Sequence, residues 1–167
     1  ACAASTGAPT MSVTISGTPR NFYTAYFVLD ITDPEVAPKL LWSFSSSNLG
    51  LSTSYPSVVR TSPAADAKAD HANAKWYVVF GSGVTGYGGT VDQGAKLFAV
   101  DLVAGPGAGN GLVTPMQLGS WDSFMADLIT LDKNLDYRSD SMYVGRTIDP
   151  ADSGRSIWSG KMYRLTM

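Results

Sequence analysis

One cysteine and one histidine, Cys2 and His71, are the whole supply of thiol and imidazole in this sequence. Structural zinc sites are built mainly from Cys and His, and one of each, far apart in the chain, makes zinc an unexpected ligand. A lone cysteine closes no disulfide framework. Cys2 therefore reads as an incidental thiol of an exported chain, against a bridge to another chain or to a missing segment. No C-x-x-C-H occurs, which excludes covalent c-type haem. Charge is also scarce: 16% of residues are charged and the net charge is -2. No Lys/Arg cluster is present to neutralise a run of phosphates, so nucleic acid is not an expected partner. No apolar run reaches the roughly 18–20 residues that cross a bilayer, so no membrane span is expected. The sequence opens on Ala1-Cys2-Ala3-Ala4, without an initiator Met and without the charged, apolar pattern of a cleavable leader. The expectation is a processed product or an excised fragment.

Sustained helical periodicity is missing too. The best helical candidate, Ala64–Ala74, follows Pro63 and reads as a loop with one or two turns. Catalytic constellations are equally thin. His71 lies beside Asp70, but no G-x-S-x-G elbow accompanies it, and it reads as an exposed loop histidine. Gly81, Gly83 and Gly86 match G-x-G-x-x-G, with Asp101 beyond. That fingerprint must open a helix, whereas here more glycines and another strand follow. The run reads as a loop with backbone freedom. No catalytic or cofactor-binding residue is expected, and the chain reads as a non-enzyme.

What the sequence has is 44% hydrophobic residues, which with the low charge argues against a disordered chain, punctuated by 17 Gly and 9 Pro. Between them lie short runs rich in Val, Ile, Tyr, Phe and Thr, which suit strands. Strands are expected near Ser12–Gly17, Thr24–Ile31, Lys39–Phe44, Ser57–Thr61, Trp76–Gly81, Lys96–Leu102, Met125–Leu131, Ser141–Arg146 and Lys161–Met167. Pro56 and Pro115 are expected ahead of or outside strands, where a missing N–H costs least. Two long loops, Ser82–Gly94 and Ile148–Ser159, interrupt them. The glycine-rich segment 104–112 is a candidate hinge, against a plain surface loop.

The second half repeats itself. Lys75–Leu102 runs K-W-Y-V-V-F-G-S-G, a loop, then G-A-K-L-F-A-V-D-L. Ser141–Met167 runs S-M-Y-V-G-R-T-I, a loop, then S-G-K-M-Y-R-L-T-M. Self-similarity at about 50–65 residues points to a propeller-like array. The expected fold is all-β: one partial, open β-propeller over residues 1–167, with about two to three blades of antiparallel strands and long loops. Residues 1–22 form an N-terminal extension. A propeller closes with about four or more blades, so other chains, or the rest of a larger propeller, are expected to complete it. Trp42, Trp76, Trp121 and Trp158 are read as inter-blade packing, against a ligand-stacking surface.

The sharpest chemical signal is D-K-N-L-D-Y-R-S-D, Asp132–Asp140. Side-chain oxygens stand at positions 1, 3, 5 and 9: Asp132, Asn134, Asp136 and Asp140. Arg138, at position 7, offers its backbone carbonyl. A hard cation such as Ca2+ takes about six to eight oxygens, and this alternation supplies them from one turn. The sixth position is Tyr137 rather than Gly and the twelfth is Tyr143 rather than Glu, so the loop is not an EF-hand. The bland alternative is a solvated polar turn. An acid pair for glycoside cleavage suits this even spacing less well.

The stretch Phe27–Phe44, then S-Y-P-S-V-V-R, W-Y-V-V-F-G-S-G and A-K-L-F-A-V-D-L, then the acidic loop with S-M-Y-V-G and G-K-M-Y-R-L, resembles the C-terminal β-propeller of PilY-type adhesins. These proteins sit at type IV pilus tips. The resemblance covers about Ala25–Met167. It implies an extracellular, pilus-associated (fimbrial) protein in pilus biogenesis, attachment or surface sensing, with pilus components as partners. It also implies calcium at Asp132, Asn134, Asp136, Arg138 and Asp140. Two alternatives remain: a filament component that self-assembles through open sheet edges, and a quinoprotein-like propeller enzyme.

Overall fold

In a computed structural model, the structure describes residues 10–62, 73–107, 109, 111–150 and 156–167. Cys2, His71 and most of the Ala64–Ala74 segment lie outside the described residues. Every named element is a strand: β1 (Thr10–Ile15), β2 (Thr18–Tyr23), β3 (Tyr26–Asp30), β4 (Lys39–Phe44), β5 (Ser57–Thr61), β6 (Lys75–Gly81), β7 (Gly94–Asp101), β8 (Gly111–Leu131), β9 (Ser141–Ile148) and β10 (Ser159–Thr166). The chain is all-β, and its sheets are open. β1 pairs with β2, β3 pairs with β4, and six strands run in the order β10-β9-β8-β7-β6-β5.

The six-stranded array is two sheets sharing one long strand. The first part of β8, Gly111 to Asp122, pairs antiparallel with β7. Its second part, Ser123 to Leu131, pairs antiparallel with β9. This makes a four-stranded sheet, β5 to early β8, and a three-stranded sheet, late β8 to β10. Alternation along β6 and β7 sends side chains to both faces of the four-stranded sheet. Val79 and Leu97 face the three-stranded sheet, where Met125, Leu128, Met142 and Val144 complete one core. Val78, Phe80, Phe98 and Val100 face β3 and β4, where Trp42 and Phe44 complete a second core with Leu49. Because its centre is buried on both faces, β6 and β7 read as nearly continuous apolar runs. Phe80 and Phe98 are fully buried, and each such side chain contributes about 1.5–3 kcal/mol of burial.

Ser54, in the connection between β4 and β5, ties the three layers together. Its Oγ donates to Ala126 O at 3.1 Å and accepts from Gly81 N at 3.1 Å. Its carbonyl accepts from the Tyr26 hydroxyl. Burial, helped by the Asp127 charge, pushes the Tyr26 phenol up to about 12 against the opposing pull of that hydrogen bond.

A buried arginine, Arg146 of β9, fixes the place where β8 changes partners. Its Nε donates to Ser123 Oγ at 3.0 Å and its Nη1 to Leu118 O at 3.1 Å. Gly119 lies directly against the guanidinium, and a Cβ there would meet Arg146 Nη1 at 2.1 Å.

Strand boundaries match the sequence reading at β4 and β5 and lie within about two residues of it at β1, β3, β6, β7, β9 and β10, but β2 was not expected and β8 begins at Gly111 rather than Met125. Pro115 is a correction, because it lies inside β8 rather than outside a strand. The register with β7 slips there, from Leu97↔Met116 to Ala99↔Leu112, and a bulge is where a strand tolerates a missing N–H. The candidate hinge at 104–112 begins as a turn, with Val103 N and Ala104 N donating to Asp101 Oδ1, and its last residues open β8. Within the expected N-terminal extension, Ser16 (φ 51) and Gly17 (φ 77) close β1 onto β2. Two left-handed residues in a two-residue connection make the tight turn that suits strand twist. Trp42 is buried as expected, but Trp76 and Trp158 are about half exposed. The side chain of Trp121 lies outside the description.

Candidate metal-binding loop and the cleft beside it

The segment Asp132–Asp140 joins β8 to β9. Its neck is closed by Asp140 N donating to Leu131 O at 2.9 Å. Within the loop Leu135 (φ 60) and Tyr137 (φ 67) are left-handed, a conformation that costs a non-glycine residue about 1 kcal/mol or more. The acidic side chains offset that cost by accepting the backbone N–H groups the turn exposes. Asp136 N donates to Asp132 Oδ1 at 3.1 Å and to Asn134 Oδ1 at 3.2 Å. Tyr137 N donates to Asp132 Oδ2 at 2.7 Å. Arg138 N donates to Asp136 Oδ1 at 2.8 Å, and Lys133 N to Asp140 Oδ2 at 2.7 Å. Asn134 Nδ2 donates to Asp136 Oδ2 at 3.1 Å.

The four oxygen-bearing side chains singled out in the sequence thus turn toward the interior of one loop. They do not draw three carboxylates to a common point. Among the described residues no group of three or more His, Cys, Asp or Glu is close enough to share a metal ion. The donor set fits calcium in kind, being carboxylate, amide and carbonyl oxygen only. An ionised carboxylate offers about four acceptor positions, more than the backbone bonds named for Asp132 and Asp140 occupy.

Arg60, at the end of β5, was not given a role from the sequence. It is only 5% exposed. Its Nη1 donates to Tyr137 O at 2.6 Å, its backbone N to Ser139 Oγ at 3.1 Å, and its carbonyl accepts from Ser139 N at 2.9 Å. The guanidinium also lies 5.8 Å from the centre of the Trp76 ring, its cross-strand neighbour. These contacts hold the acidic loop against the edge of the four-stranded sheet. Between them is a cleft of about 340 Å³ lined by Val58, Arg60, Trp76, Asp132, Tyr137, Arg138 and Ser139. An arginine ending an apolar strand was the available signal.

The G-x-G-x-x-G match behaves as a loop and opens no helix. Its first two glycines, however, serve close approach rather than backbone freedom. A Cβ on Gly81 would meet Met125 Cβ at 2.1 Å, and one on Gly83 would meet Leu51 O at 2.0 Å.

No family model matches the chain, and no curated protein matches it. Among solved structures it is similar to the crystal structure of the Pseudomonas aeruginosa PilY1 C-terminal domain. The likeness has a TM-score of 0.53 at 23% identity and covers 83% of this chain and 27% of that one. The two share a fold. This chain spans about a quarter of the length of the PilY1 domain it resembles.

Proposed function

We propose that this chain is a calcium-binding β-propeller segment of a type IV pilus-associated surface adhesin, acting in pilus biogenesis, attachment or surface sensing. The shared fold with the PilY1 C-terminal domain carries the pilus reading. The stacking of three β layers around β6 and β7 supports the propeller, since blades stack face to face. The presence of Asp132, Asn134, Asp136 and Asp140 in one short turn, where their oxygens accept its backbone amides, supports the metal. With the Arg138 carbonyl, these residues would hold the cation, which neutralises three carboxylates and cross-links both ends of the β8–β9 connection. The reading assigns the chain no catalytic step.

Calorimetric titration with calcium tests the metal. Heat of binding in the wild type, absent from Asp132→Ala/Asp136→Ala, is the expected result; no heat in either contradicts it. Antibody against the chain, imaged on producing cells, tests the pilus. Label on pili is expected, and label confined to the cell interior contradicts it.

A second reading, self-assembly through open edges, is favoured by one observation. β10 ends the six-stranded array, and an unpaired strand edge is a template for another strand. Light scattering decides it: a monomer at every concentration removes this reading.

A further inference from the structure

We propose that the cleft between β5, β6 and the acidic loop binds a saccharide. The starting observation is aromatic surface left in water inside a concavity. Trp76 is 45% exposed and Tyr137 is 65% exposed, yet both line the same cleft of about 340 Å³. That volume lies at the low end of small-molecule sites, about 300–1,000 Å³. Around the aromatic rings stand three kinds of polar group. The Asp132 carboxylate accepts, the Arg138 guanidinium donates, and the Ser139 hydroxyl does both. Ser139 Oγ accepts from Arg60 N, which leaves its own proton to donate.

A pyranose is the ligand that matches this mixture. One face of the ring carries C–H groups that lie against an aromatic face. Its rim carries hydroxyls, each of which needs both a donor and an acceptor. Other classes fit less well. A quaternary ammonium group would meet the Arg60 guanidinium, which already sits 5.8 Å from the Trp76 ring centre. A phosphate-bearing nucleotide would meet the Asp132 carboxylate. An aliphatic side chain would strip water from polar groups and return no hydrogen bond, which is costly.

The walls are held in place before any ligand arrives. Arg60 fixes Tyr137 through its carbonyl and Ser139 through two further bonds. Little ordering entropy is then lost on binding. These bonds are made by Arg60 and not by a cation; of the lining residues only Asp132 and Arg138 are shared with the cation site proposed above.

The test is a titration of the full chain with the methyl glycosides of glucose, galactose, mannose and N-acetylglucosamine. Amide and indole chemical shifts are followed, once with calcium and once with chelator. At least one sugar is expected to move the Trp76 indole and residues 137–139 under both conditions. Trp76→Ala and Tyr137→Asn are each expected to weaken binding about tenfold, the scale of one aromatic contact, with the amide shifts of the rest of the fold retained. Asn tolerates the left-handed backbone at position 137. Trp158→Ala, at the other half-exposed tryptophan, leaves binding unchanged. No response to any of these sugars, or a response that survives both cleft variants, overturns the proposal. A response lost in chelator overturns it as well, because the metal and not the cleft would then be the binding element.

Discussion

Two loops of similar length leave strands of this fold and are held by different physics. The loop after β6 begins at Ser82 and is tied by backbone groups and close contact. Ser82 N donates to Lys96 O at 2.8 Å, Met125 N to Ser82 O at 2.8 Å, and Gly83 N to Leu49 O at 2.9 Å. The loop after β8 is tied by its own ionised side chains, which accept the amides of residues 133, 136, 137 and 138. The first loop is a packing device that depends on the absence of a side chain at Gly83, beside a buried Ser82 whose Oγ accepts from Lys96 N at 2.9 Å. The second is an electrostatic device that depends on the presence of side chains, and it is therefore the one a cation can address.

Substitutions separate the two. Gly83→Ala puts a Cβ 2.0 Å from Leu51 O, and this backbone carbonyl has nowhere to go. A loss of about 3 kcal/mol or more is expected in urea unfolding, at the upper end of overpacking costs. If Gly83→Ala is tolerated, the packing account of the first loop fails. Asp132→Ala leaves Asp136 N with a poorer partner and Tyr137 N without its carboxylate. The expected loss is about 1–2 kcal/mol, because these bonds are largely solvent-accessible. Asp132→Asn keeps one oxygen and should cost less. Equal losses from Ala and Asn would contradict the acceptor role.

The remaining effect concerns pH and lies at the base of the first loop, where Tyr26 shares Ser54 with Gly81. The folded phenol titrates near 12 against an ordinary 10.0, so the folded state holds its proton longer than the unfolded one. The stability this supplies is complete below about pH 10 and disappears as pH rises through 12. Tyr26→Phe should flatten that alkaline decline in thermal melts. An unchanged slope would place the titrating group elsewhere.

β6, β7 and β9 were legible in the sequence because apolar residues crowd strands buried against other layers, whereas β10, largely exposed, was legible because it repeats the Gly-Lys-apolar-aromatic pattern of β7. β2 was not legible. T-P-R-N-F-Y is exposed along most of its length and so has no alternation to read, although Ser16-Gly17 marks the turn before it. The first part of β8 was hidden by Pro115 and Gly119, which read as breakers and are bulge residues. The acidic loop was legible as a turn closed by its own oxygens because its residues are consecutive. The cleft beside it was not, since Arg60 meets Tyr137 across 77 positions of chain, and no local pattern carries such a contact.

The account rests most directly on the acidic loop as a cation site, and thermal unfolding with and without calcium tests it. Ligand that binds only the folded state stabilises it by RT ln(1 + [L]/Kd), about 2.7 kcal/mol at a hundredfold excess over Kd. The wild type is expected to melt higher as calcium rises, and Asp132→Ala/Asp136→Ala is expected to ignore it. Identical melting curves for the wild type in saturating calcium and in chelator would contradict the claim.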